Sequence, residues 1–102
     1  FILLEVRAFL SYARKITKMY YWRSTSRFEV DLILDNRWAL EIKGTKSIQD
    51  KHLKGIRGLK EKGNIQNFAV ISCDRYERKT KDNITIFPWK LFLENLWTGK
   101  II

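Results

Sequence analysis

The sequence predicts an α/β domain in which a mixed β-sheet is covered by helices on both faces. Three observations point there. Stretches with helical spacing of apolar residues alternate with stretches of strand character along the 102 residues. Asn67 to Cys73 (NFAVISC) is apolar nearly throughout, as a strand buried on both faces is. Strands joined through a helix favour a sheet sandwiched between helices.

In chain order the elements read αβββαββα. Residues 2–14 carry Leu3, Val6, Phe9, Leu10 and Ala13 at helical spacing. Thr17 to Ser24 is aromatic-rich and reads as a strand, and Ser24 to Arg27 as a turn. Two further strands lie within Phe28 to Lys43. Ser47 is a plausible N-cap for a helix to about Lys62, closed by Gly63 and Asn64, with Ile48, Leu53, Ile56 and Leu59 as its apolar stripe. After the strand ending at Cys73, the polar run DRYERKTKDN reads as a loop and Ile84 to Phe87 as a short strand. Pro88 suits the first turn of a last helix carrying Leu91, Phe92 and Leu96.

Composition bounds the function. The length fits a single domain over residues 1–102. Apolar residues make up 45%, too many for a disordered segment. One cysteine, Cys73, cannot staple the fold or build a zinc cluster, so a reducing, cytoplasmic setting is expected. No run reaches the ~18 apolar residues of a membrane span. The first residues read as neither signal peptide nor initiator Met, so the chain is read as a candidate fragment of a longer protein. Twenty Lys and Arg against eleven acidic residues give a net charge of +9, which suits a polyanion such as nucleic acid.

The hairpin within FEVDLILDNRWALEIKGT fixes its own register. Phe28, Val30, Leu32 and Leu34 share one face of the first strand, and Trp38, Leu40 and Ile42 share one face of the second. A two-residue turn would join the apolar face of one strand to the charged face of the other. A three-residue turn, Asp35-Asn36-Arg37, with Asn as a tolerated left-handed residue, aligns the apolar residues instead. Burying each is worth ~1.5–3 kcal/mol, so the odd register wins. Asp31 then faces Glu41 with Cβ atoms about 4.5–5.5 Å apart. Two carboxylates so placed repel, and a divalent cation relieves them better than Lys43 can. Mg²⁺ suits such a site, because it takes one or two carboxylates plus water and phosphate.

Asp31, followed after nine residues by Glu41-Ile42-Lys43 on the next strand, resembles the signature of the PD-(D/E)XK nuclease superfamily. Together LLEVRAFL, YYWRSTSRFEVDLIL, ALEIKGT and IFPWKLFLENLWTGKI resemble the carboxy-terminal domain of unknown function carried by many bacterial and archaeal AAA-type ATPases. The resemblance implies a restriction-endonuclease-like core and Mg²⁺- or Mn²⁺-dependent cleavage of nucleic acid. It implies Asp31, Glu41 and the Ile42 backbone carbonyl as metal ligands, Lys43 as the catalytic lysine, and Glu5 as a further acid aimed at the metal. It also implies an ATPase domain in cis as a partner, although no Gly-x-x-x-x-Gly-Lys loop occurs here.

Other residues are read against plainer roles. Lys46, Lys51, Lys54 and Arg57 are candidate phosphate contacts on DNA ahead of RNA, or a solvated helix face. Glu29 is expected to pair with Lys43, and His52 to be a half-buried structural residue. Tyr20, Tyr21 and Trp22 could stack on bases but suit a core better. Cys73 is expected to be inert at the end of a buried strand. Trp89, Phe92 and Trp97 are expected to pack the last helix on the sheet, any exposed member marking a contact with an ATPase domain or a second copy. The alternative to an enzyme is a non-catalytic accessory or nucleic-acid-binding module.

Overall fold

A computed structural model describes residues 1–24 and 29–102. Thr25, Ser26, Arg27 and Phe28, read above as a turn and a strand start, lie outside the described residues. The elements are α1 (Ile2–Tyr12), β1 (Met19–Arg23), β2 (Glu29–Leu34), β3 (Trp38–Ile42), a 3₁₀ turn (Asp50–Leu53), α2 (Lys54–Glu61), β4 (Asn67–Ser72), β5 (Arg78–Lys79), β6 (Ile84–Pro88) and α3 (Trp89–Trp97). They form the expected mixed α/β fold. One six-stranded sheet has the order β1-β2-β3-β4-β6-β5. β3, β4 and β6 run parallel, and the edge pairings are antiparallel.

Each face of the sheet has its own core. Leu32, Leu34, Leu40, Ala69, Ile71 and Phe87 face α1 and α3, meeting Val6, Phe9, Phe92 and Leu96. Ile33, Ala39, Phe68, Val70, Ile84 and Ile86 face α2, meeting Ile48, Leu53, Ile56 and Leu59. Strands buried on both faces read as continuous apolar runs, which explains NFAVISC. Among the described residues no helix is long and apolar enough to cross a membrane.

The hairpin register is the odd one. Leu32 pairs with Leu40, Ile33 with Ala39 and Leu34 with Trp38, around a three-residue turn. The left-handed residue is Asp35 (φ 51°), not Asn36. Its carboxylate accepts from Lys18 N–H at 2.8 Å, and its own N–H donates to Lys18 O at 2.8 Å. These bonds to the start of β1 hold an unfavourable backbone state.

Other details depart from the sequence reading. Ile2 is buried in α1, whereas Leu3 is 42% exposed. Ser47 does not cap the second helix; the 3₁₀ turn begins after Gln49, and α2 only at Lys54. The polar loop contains β5, and β4 ends at Ser72, leaving Cys73 exposed. After α3, Gly99 turns the chain at φ +78°. The tail then folds back, burying Ile101 and Ile102, and Trp38 Nε1 donates to Ile101 O at 3.1 Å.

Val30 is the largest departure. A shared apolar face with Leu32 and Leu34 was expected, but Val30 lies in the α2-side core. The cause is a β-bulge: Tyr20 pairs with Ile33 and Trp22 with Val30, so Asp31 and Leu32 together oppose Tyr21. The extra residue shifts the alternation by one.

α2 lies close on β2 because position 55 is glycine. A Cβ there would overlap the Glu29 carbonyl oxygen. Helix propensity alone makes Gly55→Ala stabilising by about 1 kcal/mol. Overlap with a backbone atom cannot relax by a rotamer change, and such overpacking costs about 1–3 kcal/mol. The substitution is therefore expected to lower stability in urea unfolding; a gain would show that α2 can move away from β2 freely.

Candidate active site

The bulge aims Asp31. Its Oδ2 accepts the Ile42 backbone N–H at 2.9 Å. A regular ladder would give that N–H to a carbonyl of β2; the β2–β3 pairing ends at Leu32 and Leu40, and beyond it the Asp31 side chain stands in. The same carboxylate is hydrogen-bonded to the Glu41 carboxyl. Glu41 is 6% exposed, between Ile42 and Leu40 on the central strand. Backbone N–H and C=O of one strand residue point the same way, so the Ile42 carbonyl is turned toward β2 and Asp31 as well.

These groups open into a cleft of about 330 Å³ lined by Glu29, Asp31, Glu41, Ile42, Lys43, Lys51, His52, Lys54 and Gly55. One wall is made of strand ends, the other of the 3₁₀ turn and the start of α2. The structure thus brings Asp31, Glu41, Ile42, Lys43, Lys51 and Lys54 together. Glu5 is half-buried on α1 and does not line this cleft. Arg7 and Leu3 of α1 instead join Asp31 in a shallower hollow on the other side of β2, a neighbour that nothing in the sequence pattern marked. Lys46 is exposed on the loop and also lies outside the cleft.

Two charges have other partners than expected. Glu29 pairs with Arg23 at 3.0 Å, not with Lys43. Arg57 is held by Asp82, through Nε at 2.9 Å, and by Asp50 at 3.3 Å. Arg57 in turn holds the Asp82 carboxyl down to about 2, with Thr80 helping. That cluster ties α2 to the turn before β6, so Arg57 is a clamp rather than a free phosphate contact. Tyr20 and Trp22 pack against the α2-side core, while Tyr21 is 68% exposed.

The electrostatics of the carboxyl pair are unusual. Burial pushes the Glu41 carboxyl up to about 8, and the hydrogen bond and charge of Asp31 push the same way; Lys43 opposes them. The pair therefore holds one proton near neutrality. Among the described residues no three His, Cys, Asp or Glu side chains converge for a metal ion. Two carboxylates and one carbonyl fit Mg²⁺, which fills its other positions with water and phosphate, and do not fit a structural zinc site.

The raised value makes stability depend on pH. Glu41's folded value lies above its ordinary 4.5, so its contribution is complete below about pH 4.5 and is lost as pH rises to about 8. The slope is about 1.4 kcal/mol per pH unit. Urea unfolding of metal-free protein across that window should show it, and Glu41→Gln should flatten it. An unchanged slope in the variant would assign the dependence to other groups.

A family model described as a domain of unknown function, DUF4143, matches residues 1–92; the family is commonly found with AAA-type ATPases. No curated protein and no solved structure matches the chain. With residues 1–92 of the 102 inside the match, the protein belongs to the DUF4143 family.

Proposed function

We propose that this domain is a Mg²⁺-dependent phosphodiesterase acting on nucleic acid, DNA ahead of RNA. One observation carries the reading: a bulge sets Asp31 against the buried Glu41 in a cleft that Lys43, Lys51 and Lys54 also line, with Glu29 at 3.0 Å from Arg23. Burying a carboxyl against another carboxyl costs stability that a plain sheet would avoid. Sites of this kind are candidates for function.

In this reading Asp31, Glu41 and the Ile42 carbonyl hold the ion. Bound there, Mg²⁺ would neutralise phosphate charge and acidify a bound water. Lys43 follows Glu41 by two residues, just past the end of β3, and lines the same cleft. Its ammonium orients the attacking water and offsets charge on the phosphoryl oxygens. Glu5 has no part, since it lies outside the cleft. Lys51 and Lys54 hold the substrate backbone.

The second reading is an accessory module docked on an ATPase or on a second copy. It is favoured by exposed apolar side chains on α1 and α3, with Leu4 71%, Tyr12 78% and Trp97 40% exposed. Tyr12 stacks near Trp97, their centroids 5.7 Å apart.

Purified protein with Mg²⁺ or Mn²⁺ and labelled DNA or RNA separates the two. Asp31→Asn and Lys43→Ala should each slow cleavage on the order of 10²–10³-fold. Absence of both cleavage and calorimetric metal binding would leave the accessory reading, and cleavage unchanged by Lys43→Ala would indicate a contaminant. Separately, Lys51→Ala and Lys54→Ala should each reduce the salt dependence of DNA binding by about one unit of slope, and Arg57→Ala should leave it unchanged. An equal effect of Arg57→Ala would show that its ion pairs open on binding.

A further inference from the structure

We propose that Lys51, His52 and Lys54 form a phosphate-binding site on the helical wall of the cleft, with His52 Nε2 as its directional donor. The site takes a nucleic-acid phosphate neighbouring the one that is cleaved. This rests on the reading that the cleft receives nucleic acid, and it adds a residue and a specificity element to that reading.

The argument starts from the imidazole. Gln49 N–H donates to His52 Nδ1 at 2.9 Å, and His52 N–H donates back to Gln49 O at 2.9 Å. The Nδ1 lone pair is therefore occupied, and the ring proton of neutral imidazole sits on Nε2. Nε2 then offers an N–H and no lone pair. This His52 suits an anion and does not suit a metal ion. The bond from Gln49 N–H to Nδ1 holds the ring, and the backbone bond holds the turn that carries it, before any ligand arrives, which reduces the ordering cost of binding.

Charge around the wall agrees. Lys51 and Lys54 line the cleft on either side of His52 in sequence and make no ion pair within 4 Å among the described residues. The acids nearby are engaged elsewhere: Glu29 pairs with Arg23 at 3.0 Å and Asp50 with Arg57 at 3.3 Å. The cleft so has two walls of opposite character. Carboxyl groups, with Lys43 beside them, line the strand side, suited to a cation, and Lys51 and Lys54 with the His52 N–H donor line the helical side, suited to an anion. A phosphodiester backbone with a divalent ion presents both charges. The volume of about 330 Å³ lies within the ~300–1,000 Å³ of small-ligand sites.

The test measures binding without divalent metal, so a protein that cleaves nothing still answers it. The probe is a short fluorescently labelled single-stranded DNA, with inorganic phosphate as a second probe. His52→Ala should weaken oligonucleotide binding about tenfold, as loss of a hydrogen bond to a charged group does. His52→Gln, which keeps an N–H donor near the Nε2 position, should restore most of it. Calorimetric Mn²⁺ binding should be unchanged in both variants, which a histidine ligand would not allow. Should His52→Ala fail to fold, ¹⁵N NMR of the wild-type protein decides, since the chain has a single histidine. The expected result is the Nε2–H tautomer and an Nε2 resonance that moves on adding oligonucleotide or phosphate. Wild-type affinity in folded His52→Ala, an Nδ1–H tautomer, an Nε2 signal unmoved by both probes, or loss of Mn²⁺ binding in the variants would overturn the proposal. Failure to cleave DNA, with these results intact, would overturn the phosphodiesterase reading alone.

Discussion

The hydrogen bond from Ile42 N–H to Asp31 Oδ2 is the contact on which the site depends. It exists because β2 carries one residue too many opposite Tyr21. A regular pairing would keep Asp31 on one face of the strand and let a backbone carbonyl take the Ile42 N–H. The bulge gives that duty to a side chain. In the same step it moves Val30 into the α2-side core, where it is 1% exposed, and brings Asp31 against Glu41. The β2–β3 ladder and the carboxyl pair are thus one structural fact.

Packing determines how tightly that pair is enclosed. Gly55 lets α2 approach the Glu29 backbone, and Arg57, two residues on, ties the helix to Asp82 across the sheet. With α2 held at both places, the 3₁₀ turn before it lies over the open end of β2 and β3. Lys51 and His52 reach the cleft for that reason. Arg57 is about one-third exposed, so its ion pairs are partly screened and act more through geometry than through energy. The same residue read from sequence as one of a basic series is thereby removed from the phosphate-facing set.

Glu41 shows the tension between stability and function most clearly. Its neighbours along β3 and β4, Leu40 and Val70, are fully buried apolar residues, and an apolar side chain would serve the sheet there. Burial instead raises its carboxyl to about 8, with the neighbouring Asp31 pushing the same way. The two cores on either side of the sheet supply the stability that tolerates this departure from local rules of folding.

By itself the sequence determined the element order, the odd hairpin register and the α2 stripe, because each follows from local periodicity weighed against burial. It also put Asp31 and Glu41 at neighbouring ends of the two strands, although the bulge through which Asp31 reaches its partners was not legible. What it could not determine depends on contacts between distant segments. Alternation carried through Asp31 gave the wrong face for Val30, since a bulge is decided by the partner strand. Glu5 was implied at the metal by the resemblance alone, and the docking of α1 on the far core leaves it outside the cleft. Arg57 looks like its neighbouring lysines until Asp82 is placed beside it. His52 is half-buried as expected, but which of its ring nitrogens Gln49 occupies was not legible in the sequence. The burial of Ile101 and Ile102 required the turn at Gly99 and the β3 surface to which the tail returns. Periodicity is a property of one segment and is legible in it; the aim of a side chain is fixed by what packs against it, and only the tertiary structure supplies that.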